Sequence, residues 1–314
     1  MKIAIGQAGT PEWHFCSVVK RAAEQAGVAL EQKRFDGGEA RRVASVHEGM
    51  SDVSVALAET VRWTYRAESA YDGWRHTSLR ALAAIYHTQW LGVAVRWETG
   101  IGSLADLATA RNMRLIAPLP GGESATWTFV VSQILAAHGV RVEELAERGW
   151  RVEDIARGQS RVRNLDFDVL IAPLGPIGSV HASLWQEASV LANLRFLQLS
   201  DASLDRLGTE HGLLRAALPG NYLRGVDAPV ATVGFQRWVV FASERLEDHI
   251  ALTLTRSLEE HRLSLLPLHA ALDPLLPLDD LGLPVHRAVK RDRQERGLAA
   301  TAVSAAEGLR TRSA

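Results

Sequence analysis

The chain has 314 residues, 47% of them hydrophobic, which is enough to bury a large core in about two domains or lobes. Its 35 basic and 36 acidic residues are interspersed and sum to a formal net charge of −1, so no global field exists to hold nucleic acid or an anionic membrane. A single cysteine, Cys16, rules out an internal disulfide and reads as a buried structural thiol.

In chain order, Lys2 to Gly6 predicts a first strand, and Gly6 to Phe15 predicts a glycine turn that opens a helix. Glycines 6 and 9 let the chain turn, Thr10 is placed to cap the helix, and Pro11 suits its first position. Such a turn aims backbone N–H groups at an anion. It lacks the G-x-G-x-x-G spacing and the Gly-Lys-Ser/Thr of the two phosphate loops, so nucleotide binding is disfavoured. Met1-Lys2 leads directly into Ile3 without an apolar leader, and the expected address is the cytoplasm as written, or the periplasm if the true N-terminus lies upstream.

Residues 12–25 carry apolar positions at helical spacing, closed by Gly27; Val28 to Phe35 predicts a second strand. Gly37-Gly38-Glu39 opens a second helix that ends at Gly49, and Asp52 to Leu57 predicts a third strand. A second set follows: a strand at Leu91 to Arg96, a capped helical turn at Ser103 to Leu107, and a strand at Arg114 to Ala117. Gly121 to Trp127 then repeats the glycine turn and opens a helix to His138. A strand at Phe167 to Ala172 ends at Pro173-Leu174-Gly175-Pro176, and a helix is expected over 177–188. Pro229 to Phe241 predicts a long strand, Glu247 to Leu263 a long helix, and Arg287 to Arg296 a solvated helix. Leu298 to Ala314 reads as a surface helix or frayed tail. Leu263 to Leu283 is broken by Pro267, Pro274 and Pro277, and nothing approaches the ~18 apolar residues of a membrane helix. This alternation predicts an α/β fold with a largely parallel sheet.

Several motifs in order resemble the TAXI class of TRAP-transporter solute receptors, which have the type II periplasmic-binding-protein fold. Gly9-Thr10-Pro11-Glu12-Trp13-His14-Phe15 is similar to that family's Gly-Thr turn with two tyrosines. Gly37-Gly38-Glu39-Ala40-Arg41-Arg42 is similar to its Gly-Ser-x-Glu-Asn turn, and 48–57 to its Ser-Gly-x-Ala-Asp-Leu-Ala-Leu segment. Residues 79–86, 101–107 and Leu283-Pro284-Val285-His286-Arg287 match three further signatures. The resemblance implies two α/β lobes joined by two crossover hinge segments, with the ligand held in the inter-lobe cleft. The natural crossings, Leu91 to Trp97 and Val230 to Val240, give lobe I as 1–90 plus 230–314 and lobe II as 91–229.

The expected ligand contacts come from the loops that such a cleft would expose. Gly9 and Thr10 in one lobe, and Ser124, Ala125 and Thr126 in the other, would grip a carboxylate with hydroxyl and N–H groups; helix capping alone is the competing reading. Trp13 and Trp127 would wall an aromatic or apolar ligand body, whereas Trp63 and Trp90 read as core. Gly38, Glu39, Glu59, Thr60, His87, Gln89 and His14 fall on the same presumed rim, as do Gly175, Gln236 and Arg237, the last able to pair with a carboxylate. His14 and His87 would be the acid–base pair if the protein were an enzyme. The eleven histidines include no metal-ligand spacing, and Ser124 lacks the second glycine of a nucleophile elbow, so neither a metal, another cofactor, nor serine hydrolysis is expected. The leading expectation is a small-molecule receptor for an organic carboxylate, with a membrane permease as partner if exported. A cytoplasmic decarboxylase or other lyase on the same scaffold is the alternative, and a cytoplasmic sensor the third.

Overall fold

Ile3-Ala4-Ile5, with almost no exposed surface, forms the centre of β1 (Lys2–Ile5). In the computed structural model, residues 1–6, 10–120, 124–176, 180–261 and 278–298 are described. The chain divides into two units, residues 1–87 with 237–314 and residues 88–236.

In the first unit, β1 pairs in parallel with β2 (Glu31–Arg34) and β3 (Val53–Leu57). β2 is the polar edge, four residues long where the sequence suggested eight. β3 is buried at all five positions, so its alternating valines and serines do not divide a wet face from a dry one. Helix α1 (Pro11–Gln25) follows β1, α2 (Gly38–His47) follows β2, and α3 (Ala58–Arg66) follows β3 without an intervening loop. The turn into α2 needs two consecutive positive φ angles, +100° at Gly37 and +74° at Gly38, which glycine supplies without steric cost. Cys16, buried on α1, donates its thiol to the Ala4 carbonyl at 3.4 Å, and burial pushes its pKa up to about 12. It is inert packing, as the sequence suggested.

Two long strands run between the units. β4 (Leu79–Arg96, 18 residues) begins twelve residues before the strand read at Leu91, and β10 (Val230–Ser243) spans 14 residues. In the first unit, Trp238 to Ala242 of β10 run antiparallel to β3, so the sheet is mixed rather than largely parallel. Late in the chain, α8 (Asp248–Glu260) packs on α1 and on α9 (Arg287–Glu295). The tail read at 298–314 lies outside the described residues except for Leu298.

In the second unit, β5 (Arg114–Ala117) lies parallel between β6 (Arg151–Asp154) and β7 (Val169–Leu174). β7 and β8 (Leu194–Phe196) flank β4 antiparallel, and β9 (Leu214–Leu218) pairs antiparallel with β10. The helices are α4 (Ala125–Ala137), α5 (Ile155–Arg163), α6 (Val180–Leu191) and α7 (Asp201–His211). Trp185 of α6 centres the core among Phe167, Leu170, Ala172 and Phe196, and its indole N–H donates to the Pro173 carbonyl at 3.1 Å. Gly92 on β4 faces that ring; a Cβ there would lie 2.5 Å from it. Neither β6 nor α5 was foreseen, and Gly158 sits inside α5 because a Cβ would come within 2.7 Å of Ile116.

Candidate functional site

The first unit gathers its polar groups where β1, β2 and β3 end and their helices begin. Thr10 caps α1, its Oγ1 accepting from the Trp13 N–H at 3.3 Å, and Pro11 occupies the first turn as the sequence predicts. Glu39, at the start of α2 and only 5% exposed, accepts from the Leu57 N–H and the Thr60 hydroxyl, both at 2.9 Å. It thereby ties α2 to the junction of β3 and α3. Burial pushes its pKa up to about 7 against the pull of Arg42. Three residues on, Arg42 shares the buried face of α2 and is itself 5% exposed. A Cβ on Gly6 would come 3.0 Å from Arg42 Nη1 and 3.6 Å from Thr10 Oγ1, so the guanidinium lies against the end of β1 and the cap of α1. Its Nη2 is 3.9 Å from Glu12 Oε1, and among the described residues neither Nε nor Nη2 has a hydrogen-bond partner.

Glu59, on the first turn of α3 and 6% exposed, has its carboxyl pushed upward by burial, opposed by its own backbone N–H, Arg62 and Arg237. Arg237 pairs with Asp280, which engages the cation that the sequence offered to a ligand carboxylate. Thr60 is fully buried. Trp13 is half-buried with its ring edge-on to His14 at 5.0 Å, and His14 is exposed. Gly9 and the His87 side chain lie outside the described residues. The first unit therefore brings Thr10, Gly38, Glu39 and Thr60 to neighbouring loop ends, and adds Arg42, which the sequence reading passed over. The signal was Glu39-x-x-Arg42, an acid and a base one helical turn apart behind a double glycine.

In the second unit, Ser124 caps α4 through the Trp127 N–H at 3.4 Å, with Ala125 exposed beside it and Thr126 buried. Trp127 is 4% exposed and packs edge-on against Phe235 at 4.7 Å, so its ring contributes to this unit's core. Gln89 is buried and Gln236 half-buried. The Gly175 carbonyl accepts from the Tyr222 hydroxyl at 3.1 Å, and Trp90 meets the same tyrosine at 5.2 Å. A separate cavity of about 430 Å³ lies over β5 and β6, where Arg161 is paired with Glu153 and Asp166 and Arg114 with Asp166. Among the described residues, no group of three His, Cys, Asp or Glu side chains could hold a metal ion, and no helix is long and apolar enough to cross a membrane.

This geometry suits an anion: helix starts with capped N–H groups, and in the first unit a buried guanidinium. Among solved structures, a protein of Bordetella bronchiseptica is 14% identical, with 94% of this chain and 97% of that one covered at a TM-score of 0.51. XAC2383 from Xanthomonas citri, solved with chloride ion, is 12% identical over 94% and 99% of the two chains, also at 0.51. The substrate-binding protein of an amino acid ABC transporter is 13% identical over 84% and 94%, at 0.42. The chain thus shares its mixed α/β fold with the Bordetella bronchiseptica and Xanthomonas citri proteins, in agreement with the α/β class expected from the sequence. No curated protein matches the sequence. A family model described as NMT1-like matches residues 14–291, nearly the whole chain, and the protein belongs to that NMT1-like family.

Proposed function

We propose that this protein is a solute-binding protein that holds a small organic carboxylate and releases it unchanged. The observation that carries this reading is one construction present in both units: a parallel strand whose carboxyl end leads to a hydroxyl-capped helix, Thr10 before α1 and Ser124 before α4. Helix starts of this kind attract negative charge through their N–H groups and dipole. Membership of the NMT1-like family and the order of motifs resembling TAXI receptors support the same reading, with a membrane permease as partner and work outside the cytoplasm.

The test is calorimetric titration with acetate, succinate and benzoate alongside acetamide, succinamide and benzamide, followed by mass analysis of the recovered solute. Saturable binding of a carboxylate, recovered intact after long incubation, is the expected result. Protein-dependent loss of carbon dioxide or water that disappears in His14→Ala or His87→Ala would replace the receptor with the lyase.

A further inference from the structure

Arginine cannot shed its charge on burial, so a buried guanidinium must find acceptors within the fold or take them from a ligand. Arg42 is 5% exposed, and among the described residues its Nε and Nη2 have no hydrogen-bond acceptor. Those two nitrogens share one edge of the planar group and present two parallel N–H bonds, the edge that a carboxylate spans with both oxygens.

Among the described residues, no acid around it hydrogen-bonds that edge. Glu39 accepts from the Leu57 N–H and the Thr60 hydroxyl, and neither of its oxygens is hydrogen bonded to Nε or Nη2. Cys16 is a protonated thiol turned to the Ala4 carbonyl. Glu12, in the first turn of α1, pairs with Nη2 only as a charge at 3.9 Å, beyond hydrogen-bond distance. On the remaining side Gly6 carries no side chain, and a Cβ there would crowd Nη1. The same guanidinium lies beside Thr10, the cap of the 15-residue helix α1, so a helix N-terminus and a buried cation converge on one spot.

We infer that Arg42 is the specificity-determining residue for a carboxylate head group, which its Nε and Nη2 hold bidentately at the start of α1, with Glu12 as the internal competitor for that edge. This rests on the solute-binding reading and adds which residue sets the charge of the solute. A planar carboxylate matches the edge better than a tetrahedral sulfonate or phosphonate, and an amide offers it one neutral oxygen.

The experiment measures binding to the full chain for benzoate, acetate and succinate, their amides, methanesulfonate and methylphosphonate, at constant ionic strength. Carboxylates are expected to bind best, Arg42→Gln to weaken them by about tenfold or more, and Glu12→Gln to tighten them by roughly threefold, because it removes a like charge from the edge. The Glu12→Gln arm keeps Arg42 in place and answers the question even if Arg42→Gln does not fold. Carboxylate affinity unchanged in a folded Arg42→Gln chain, or not raised by Glu12→Gln, overturns the inference while leaving a solute-binding protein. Amides binding as well as their acids does the same. If no acid or amide binds, this inference and the solute-binding reading fail together.

Discussion

Glu39 offers a direct measure of how the first unit stores charge. Its carboxyl pKa stands at about 7 instead of 4.5, because burial opposes ionisation more strongly than Arg42, the Leu57 N–H and the Thr60 hydroxyl favour it. A group whose pKa is raised on folding stabilises the fold fully below its unfolded value, and that stability is lost as pH rises through the folded value. The window therefore runs from about pH 4.5 to about pH 7, and the shift between those values corresponds to about 3 kcal/mol. Glu39→Gln cannot ionise, yet it keeps an acceptor for the Leu57 N–H and can donate to the Thr60 hydroxyl. Urea unfolding of both chains, followed by circular dichroism from about pH 4 to pH 8, should show the variant gaining on the parent by about 3 kcal/mol. Parallel pH profiles would refute the reasoning, since Glu39 would then ionise as readily folded as unfolded.

Two further outcomes follow from the second unit. Gly92→Ala places a methyl 2.5 Å from the Trp185 ring and should cost about 1–3 kcal/mol, with a shift in tryptophan emission; an unchanged unfolding midpoint would mean that the ring has room to move. Asp168→Asn breaks the bidentate pairing of Asp168 with Arg114 and should cost about 1.5–3 kcal/mol at neutral pH. Burial alone would raise the Asp168 pKa, but Arg114 wins and holds it below the usual range, so the gap between parent and variant should close as pH falls through that lowered value.

The sequence revealed elements whose signals are local. Thr10-Pro11 and Ser124 announce helix starts because a cap is decided within four residues, and both hydroxyls accept from the N–H three residues on. The first half of β4 carried no such signal: Leu79 and Ala81 to Ile85 are all buried, so the two faces do not alternate and the period of two vanishes. β6 was hidden for the opposite reason, as a short, largely polar edge strand, and Gly158 obscured α5 by answering to Ile116 rather than to helix propensity. The antiparallel direction of β10 against β3 is set by how the chain returns, which composition does not record. Trp127 shows the same limit at the site, since a large ring at a strand end reads equally as ligand wall or core, and its partner Phe235 lies more than a hundred residues away. Arg42 was not singled out because the burial of α2 depends on what packs over it.

Arg114 in the second unit and Arg42 in the first are satisfied to different degrees, and the difference bears on function. In the second unit, Arg114 at the start of β5 makes two hydrogen bonds to Asp168 and one to Asp166, while Asp168 also accepts the Arg114 backbone N–H. Each guanidinium nitrogen of Arg114 donates to a carboxylate, and the cluster locks β5 to the segment entering β7 as a structural joint. In the first unit, at the carboxyl ends of the strands, the balance is left open: Glu39 is driven toward neutrality and Arg42 keeps two donors unmet. A fold selected only for stability would close that gap, since a buried charge whose donors lack hydrogen bonds is among the more expensive features a core can hold. The Arg114 cluster shows each guanidinium nitrogen meeting a carboxylate where structure alone is at stake. An edge left open beside the capped start of α1 is the arrangement expected where the missing acceptor arrives with the solute.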